Sequence, residues 1–292
     1  RMAMGSGYYS DGRSDYYTYF SKLHQTFNSS LHSGSGAQVE FAVLPHTTAA
    51  VDYDAQRKIV ATYQADPGGR IIRYEKGNPT SGTTNVLLAG TNKPIFHSVA
   101  AWHKGSGEVL FAAVSGAQNE EVPPANEIST MYIRSETGGV VSSTDDYMTC
   151  DVDDLCSGGG NCPADVPTGC IAPGPTAKPV GPPLILRNEY GTTKQYEVFY
   201  VFYEPSTSAC DVGDSWLIRI STNGATQKLM AAKEFVQTRA TGLAVVGGGL
   251  DVIITSAGYG GKSAKVETAF GNMSTAGSLD NMPYVEVWKE VK

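Results

Sequence analysis

GGRIIRYEKG (68–77), STMYIRSETG (129–138) and DSWLIRISTNG (214–224) use one phrase three times. In each, a short apolar run ends in Ile-Arg and a Gly follows the Arg after three or four intervening residues. A strand running into a tight turn explains the pattern. Ile, Tyr and Trp suit a pleated, half-buried surface, and Gly beside Thr or Asn supplies the positive φ that hairpin turns need. If the strands are equivalent, Ile72, Ile133 and Ile218 face packed layers. Arg73, Arg134 and Arg219 then point to the opposite, wet face, each toward a carboxylate, a carbonyl or water. A buried Ile cut back to Ala costs about 2–5 kcal/mol, and an Arg at a wet face under about 1. The unequal spacing of the three arginines is too irregular for a tight solenoid and compatible with propeller blades carrying insertions.

Working outward, the 292 residues are 41% hydrophobic and only 17% charged, and they are rich in Gly, Thr, Ser and Tyr. That balance favours many short strands over long helices. A net charge of −7 with no basic stripe argues against a nucleic-acid partner. No apolar run of about 18 residues is present, so no transmembrane segment is expected. The opening RMAMGSGYYS lacks the apolar core of a signal peptide, so a secreted form would be a mature or internal fragment.

Residues 1–36 form a first unit. Tyr17, Phe20, Leu23, Phe27 and Leu31 recur three or four apart, with Ser14 as N-cap and Gly34 beyond the end, which predicts one helix over 14–32 docked on the main body. From 37 to 292 strand follows strand: TAAVDYD, KIVATY, GRIIRY, NVLLAG, PIFHSVAAW, EVLFAAV, STMYIRS, PLILRN, YEVFYVFYE, SWLIRIS, QKLMAA, GLAVVG, LDVIITSA and PYVEVWKEV. The fold expected is all-β and β-propeller-like, partial or few-bladed, with the N-terminal helix added.

The pattern stops between 143 and 183, a Cys-, Pro- and Gly-rich stretch that reads as an insertion between blades. Cys150, Cys156, Cys162 and Cys170 lie within it, and Cys210 stands apart. Without a CxxC, this cluster favours disulfides formed in an oxidising compartment over a zinc site. Two disulfides within the insertion are expected, their connectivity left open.

Three other features bear on chemistry. Asp52 and Asp54 occupy positions 1 and 3 of a D-x-D-x-D-G-x-x-D calcium loop, but position 5 is Gln56, position 6 is Arg57 and position 9 is Val60. Two carboxylates and an amide make a degenerate, weak site for a hard cation, and no other cofactor is expected. His97 and His103 would share a face of a single strand, with no third ligand in view. There is no G-x-S-x-G elbow, and the aromatic run at 196–204 reads as packing.

The order DYDAQRKIVATYQADPGGRIIRYE, NKPIFHSVAAW, STMYIRSETG and VFYVFYEPSTSACDVGDSWLIRISTNG, over roughly residues 48–255, resembles the C-terminal β-propeller of the PilY family, the type IV pilus biogenesis and tip-adhesin proteins of bacteria. The last stretch is the most specific, with Tyr203, Pro205, Cys210, Gly213, Ser215, Trp216 and Leu217 at matching spacing. The resemblance implies a non-enzymatic protein of a surface filament. Its partners would be pilin or minor pilin subunits and a surface or host ligand, at the bacterial surface or outside it. Family members bind calcium at the positions of Asp52, Asp54, Gln56 and Val60, the last two of which are replaced here. The family's large N-terminal adhesive region has no counterpart in this chain, as expected for a C-terminal piece or a shortened relative. The alternative is a quinoprotein-like propeller enzyme of the periplasm, which would need acidic ligands and a Trp platform drawn from Trp102, Trp216 and Trp288.

Overall fold

The computed structural model describes 2–5, 16–20, 23–27, 48–53, 59–65, 69–75, 84–88, 93–116, 128–158, 160–190, 193–207, 211–237, 239–246, 251–256 and 265–268. Within them the chain is all-β. The strands form five antiparallel sheets, each contiguous in sequence. The first joins β1 (Met2–Gly5), β2 (Tyr16–Phe20) and β3 (Leu23–Phe27). The second is the meander β4 (Thr48–Tyr53), β5 (Ile59–Ala65), β6 (Ile71–Glu75) and β7 (Thr84–Leu88).

In the third sheet β8 (Ala100–Gly105), β9 (Glu108–Ser115) and β10 (Thr130–Thr137) follow in order, and β11 (Val140–Val141) and β12 (Met148–Asp151) share the place beyond β10. The fourth sheet mirrors this at its start. There β13 (Lys178–Pro179) and β14 (Leu184–Tyr190) share one edge of the long β15 (Thr193–Glu204), followed by β16 (Asp214–Thr222) and β17 (Gln227–Phe235). The break has a plain cause: Pro182 and Pro183 carry no N–H for the ladder. The fifth sheet holds β18 (Ala240–Val246), β19 (Asp251–Ser256) and β20 (Lys265–Thr268).

The three Ile-Arg segments are β6, β10 and β16, and each occupies the third position of its meander. Their likeness therefore reflects equivalent places in successive sheets. The environment differs from the expected one, however, because the middle sheets are covered on both faces. Along β9, Leu110, Ala112 and Val114 enter a core shared with the fourth sheet, while Val109, Phe111 and Ala113 enter one shared with the second. β15 repeats the device, with Val198, Tyr200 and Phe202 facing the third sheet and Phe199 and Val201 facing a core completed by Ala240 and Leu243 of β18. Two-sided burial explains why these strands read as unbroken apolar runs.

Two expectations need correction. The helix expected over 14–32 gives way to strand at the described residues 16–20 and 23–27, since β2 and β3 pair from Tyr16↔Phe27 to Phe20↔Leu23. Five consecutive aromatic or β-branched residues, YYTYF, are stiff at χ1 or bulky and favour the pleated conformation over a 3.6-residue repeat. The only helical turn among the described residues is the 3-10 turn Val152–Asp154. Second, the arginine face is not wet. Arg73 is 6% and Arg134 4% exposed, as deeply placed as the isoleucines beside them. Ile133 and Ile218 do line the core between the third and fourth sheets. Ile72 is buried too, but in its copy Ile71 joins the core toward the third sheet.

Candidate functional site

The region between β12 and β14 gathers the features that composition singled out. Cys150 bonds Cys162 with Cα atoms 4.6 Å apart, and Cys156 bonds Cys170 with Cα atoms 5.7 Å apart. The two bridges interleave along the chain, so neither half of the loop can open while the other holds. The loop is no loose decoration. Its ends supply β12 and β13 to neighbouring sheets, and Cys150, Val152, Leu155 and Ala177 join the core between those sheets. Backbone bonds from Val152 N–H to Ser129 O (2.9 Å), Thr149 N–H to Asn161 O (3.2 Å) and Leu229 N–H to Asp165 O (3.0 Å) tie it to both. It caps one end of the shared core. Asp154, Asp165, Pro167, Thr168 and Ile171 are exposed on its outer side, Ile171 with 63% of its surface open.

Two sheet junctions carry a buried polar joint. Between the second and third sheets, Glu136 accepts the Tyr63 hydroxyl, accepts Gly139 N–H at 2.6 Å, and lies 3.2 Å from Arg73 Nε. Burial first, and the neighbouring carboxylate second, push the Tyr63 hydroxyl pKa well up. Arg134 donates to the carbonyls of Ile133 (2.8 Å) and Met148 and to Thr149 Oγ1, with its guanidinium 3.7 Å above the Tyr147 ring. Burial lowers its pKa. Arg219 and Glu197 make a two-toothed pair, Nε–Oε2 at 3.1 Å and Nη2–Oε1 at 2.5 Å. Each arginine thus found the carboxylate or carbonyl it was expected to need, Arg73 across the junction and Arg134 and Arg219 within their own sheets, with Arg73 and Arg134 buried and Arg219 partly open.

Between the third and fourth sheets the joint is Asp146, fully buried with φ +47°. One carboxylate oxygen accepts the Thr222 hydroxyl and Gly224 N–H (3.0 Å), while the other meets Lys104 Nζ at 2.7 Å. Asp146 N–H also donates to Gly224 O at 2.6 Å. Burial alone would lower the Lys104 pKa, but Asp146 and Glu108 outweigh it and the net shift is upward.

The stretch that carries the resemblance closes the β15–β16 connection. Gly213 N–H donates to Tyr203 Oη (3.2 Å), Trp216 Nε1 to Glu204 Oε2 (3.1 Å), and Ala240 N–H to Ser215 Oγ (2.8 Å). A Cβ on Gly213 would collide with the Glu204 carbonyl oxygen and approach Ser206 N to 2.7 Å, so only glycine fits there. Pro205 continues the same connection, and Cys210 lies outside the described residues.

Of the calcium-loop positions, Asp52 lies in β4 opposite Ala61, at a register irregularity, and Val60 lies in β5. Asp54 and Gln56 fall outside the described residues. His97 precedes β8 and its Nε2 is 3.3 Å from Pro179 O, whereas His103 lies within β8, so the two do not share a strand. Trp102 is half-buried against the core and Trp288 lies outside the described residues. Among the described residues no three His, Cys, Asp or Glu side chains converge as a metal site, and no helix is long and apolar enough to cross a membrane.

Asp146 was the principal residue that sequence reasoning missed. Only its position beside the Tyr147-Met148 strand start hinted at it, and an Asp in a loop has many uses. No protein-family model matches the chain. No curated protein matches it either.

Proposed function

We propose that the chain is a non-enzymatic assembly and adhesion module of a bacterial surface filament, similar to the PilY propeller. In this reading the successive meanders are blades of a partial or few-bladed propeller, and the doubly stapled loop is a rigid contact surface for pilin or minor pilin subunits. The observation that carries it is the Tyr203–Leu217 stretch. The residues that match the family spacing, Tyr203, Gly213, Ser215 and Trp216, supply three hydrogen bonds that fix the β15–β16 connection and its link to β18. The buried carboxylates Glu136 and Asp146 act as joints between sheets, a use suited to a module that bears force. Two disulfides fit an oxidising compartment such as the cell exterior.

Co-sedimentation with sheared, purified type IV pili tests the reading. The chain is expected in the filament pellet, with Ile171→Asp reducing the pelleted fraction. A chain that stays in the supernatant at every filament concentration would overturn it.

A further inference from the structure

The turn between β16 and β17 contains Asn223-Gly224, the one Asn-Gly pair in the sequence. Asn followed by Gly is prone to cyclise, because no side chain on the second residue hinders attack by its backbone nitrogen. Asn223 is exposed to water. Its side-chain carbonyl accepts the Thr226 hydroxyl at 2.7 Å, which draws electron density from Cγ and makes that carbon a better target. The nucleophile, Gly224 N, is engaged elsewhere. Its N–H points to the Asp146 carboxylate at 3.0 Å, and Gly224 O is held by Asp146 N–H at 2.6 Å and by Gln227 Nε2 at 3.2 Å. Both peptide planes flanking Gly224 are thereby pinned, at φ +100°.

We propose that Asn223 is a site of spontaneous deamidation whose rate is set by the grip of Asp146 on Gly224. In the reaction Gly224 N gives up its proton and bonds to Asn223 Cγ. The Cγ–Nδ2 bond breaks and ammonia leaves, forming a succinimide. Water then opens the ring at either carbonyl, leaving aspartate or isoaspartate. The first step needs the 223–224 peptide plane to rotate away from Asp146 and its N–H to be lost beside a carboxylate, and the grip opposes both. Lys104 and the Thr222 hydroxyl already engage the same carboxylate. Isoaspartate would add a methylene to the backbone of this turn and displace Gly224 from Asp146. Deamidation is therefore also a way to open the joint between the third and fourth sheets.

The test is the rate of amide-to-carboxyl conversion at Asn223, read by peptide mass spectrometry during incubation at mildly alkaline pH. Native protein is compared with the same protein unfolded in urea. Native conversion is expected to be severalfold slower, and Asp146→Ala, checked for folding by circular dichroism, is expected to approach the unfolded rate. Should that variant not fold, the isosteric Asp146→Asn is expected to fall between the two. Equal native and unfolded rates would overturn the proposal. So would a folded Asp146 variant that converts no faster than the parent, or one that converts more slowly, which would make Asp146 the base.

Discussion

Arg73 Nε on β6 lies 3.2 Å from Glu136 Oε1 on β10, so the third strands of two neighbouring sheets meet in an ion pair that water barely reaches. Removing such groups from water is costly, and their attraction offsets the cost only when further hydrogen bonds complete the set. Tyr63 and Gly139 supply those bonds to Glu136. A pair of this kind specifies how the sheets sit against each other, because an apolar face would tolerate sliding and this one does not.

The disulfides should each stabilise by about 3 kcal/mol, since they close loops of 12 and 14 residues. The pairing is checked by single variants: Cys150→Ser should expose Cys162, and no other thiol of the loop, to alkylation. Release of Cys156 or Cys170 instead would contradict it.

Gly213→Ala is expected to cost at least about 1–3 kcal/mol, because the clash is with the backbone at Glu204 and Ser206 and no side chain can swing aside. Chemical denaturation measures it. A midpoint unchanged from the parent would mean that the β15–β16 connection packs less closely than described.

Alkaline pH should unfold the protein. The Tyr63, Tyr196 and Tyr200 hydroxyls are raised chiefly by burial, and Lys104 is raised by Asp146 and Glu108 against its burial. Groups that hold protons more tightly in the fold than in the open chain give full stability below their ordinary range. That stability is lost as pH climbs above about 10. Tyrosinate absorbance should therefore show a late phase that coincides with loss of the circular dichroism signal. Ionisation of all 16 tyrosines with the fold intact would contradict this.

Calcium should change little. With Gln56 and Val60 in place of carboxylates, the loop beginning at Asp52 lacks most of the charge that draws a hard cation from water. Titration calorimetry is expected to show no tight binding, and micromolar affinity lost in Asp52→Ala would refute the expectation.

Much of the sheet order was legible because apolar runs bounded by turn residues are a local signal. From KIVATY the described IVATY, from STMYIRS the run TMYIRS, and EVLFAAV and SWLIRIS entire, lie in strands. Period was the weak point. Tyr17, Phe20, Leu23 and Phe27 satisfy a helical repeat, yet the aromatic crowding of YYTYF decides for strand, and the count of apolar matches could not weigh that. β12 and β13 were hidden because the Cys- and Pro-rich composition around them reads as loop. The dryness of the arginine face was also out of reach, since it depends on a second sheet covering the first. Stacking of that kind leaves no mark on the strand itself beyond an apolar run.

The central claim is that the repeated Ile-Arg strands are equivalent third strands whose arginines pair in a covered setting, Arg73 with the neighbouring sheet and Arg134 and Arg219 within their own. Denaturation of six single alanine variants, at Ile72, Arg73, Ile133, Arg134, Ile218 and Arg219, tests it most directly. Arg73→Ala strands the Glu136 carboxylate and Arg134→Ala leaves the Met148 carbonyl short of a donor, so each should cost several kcal/mol, in the range of about 2–5 expected for the isoleucines. Arg219, more open at its side chain, should cost less. If instead Arg73→Ala and Arg134→Ala each cost under about 1 kcal/mol, as wet-face arginines would, the sheets do not stack on both faces and the account fails.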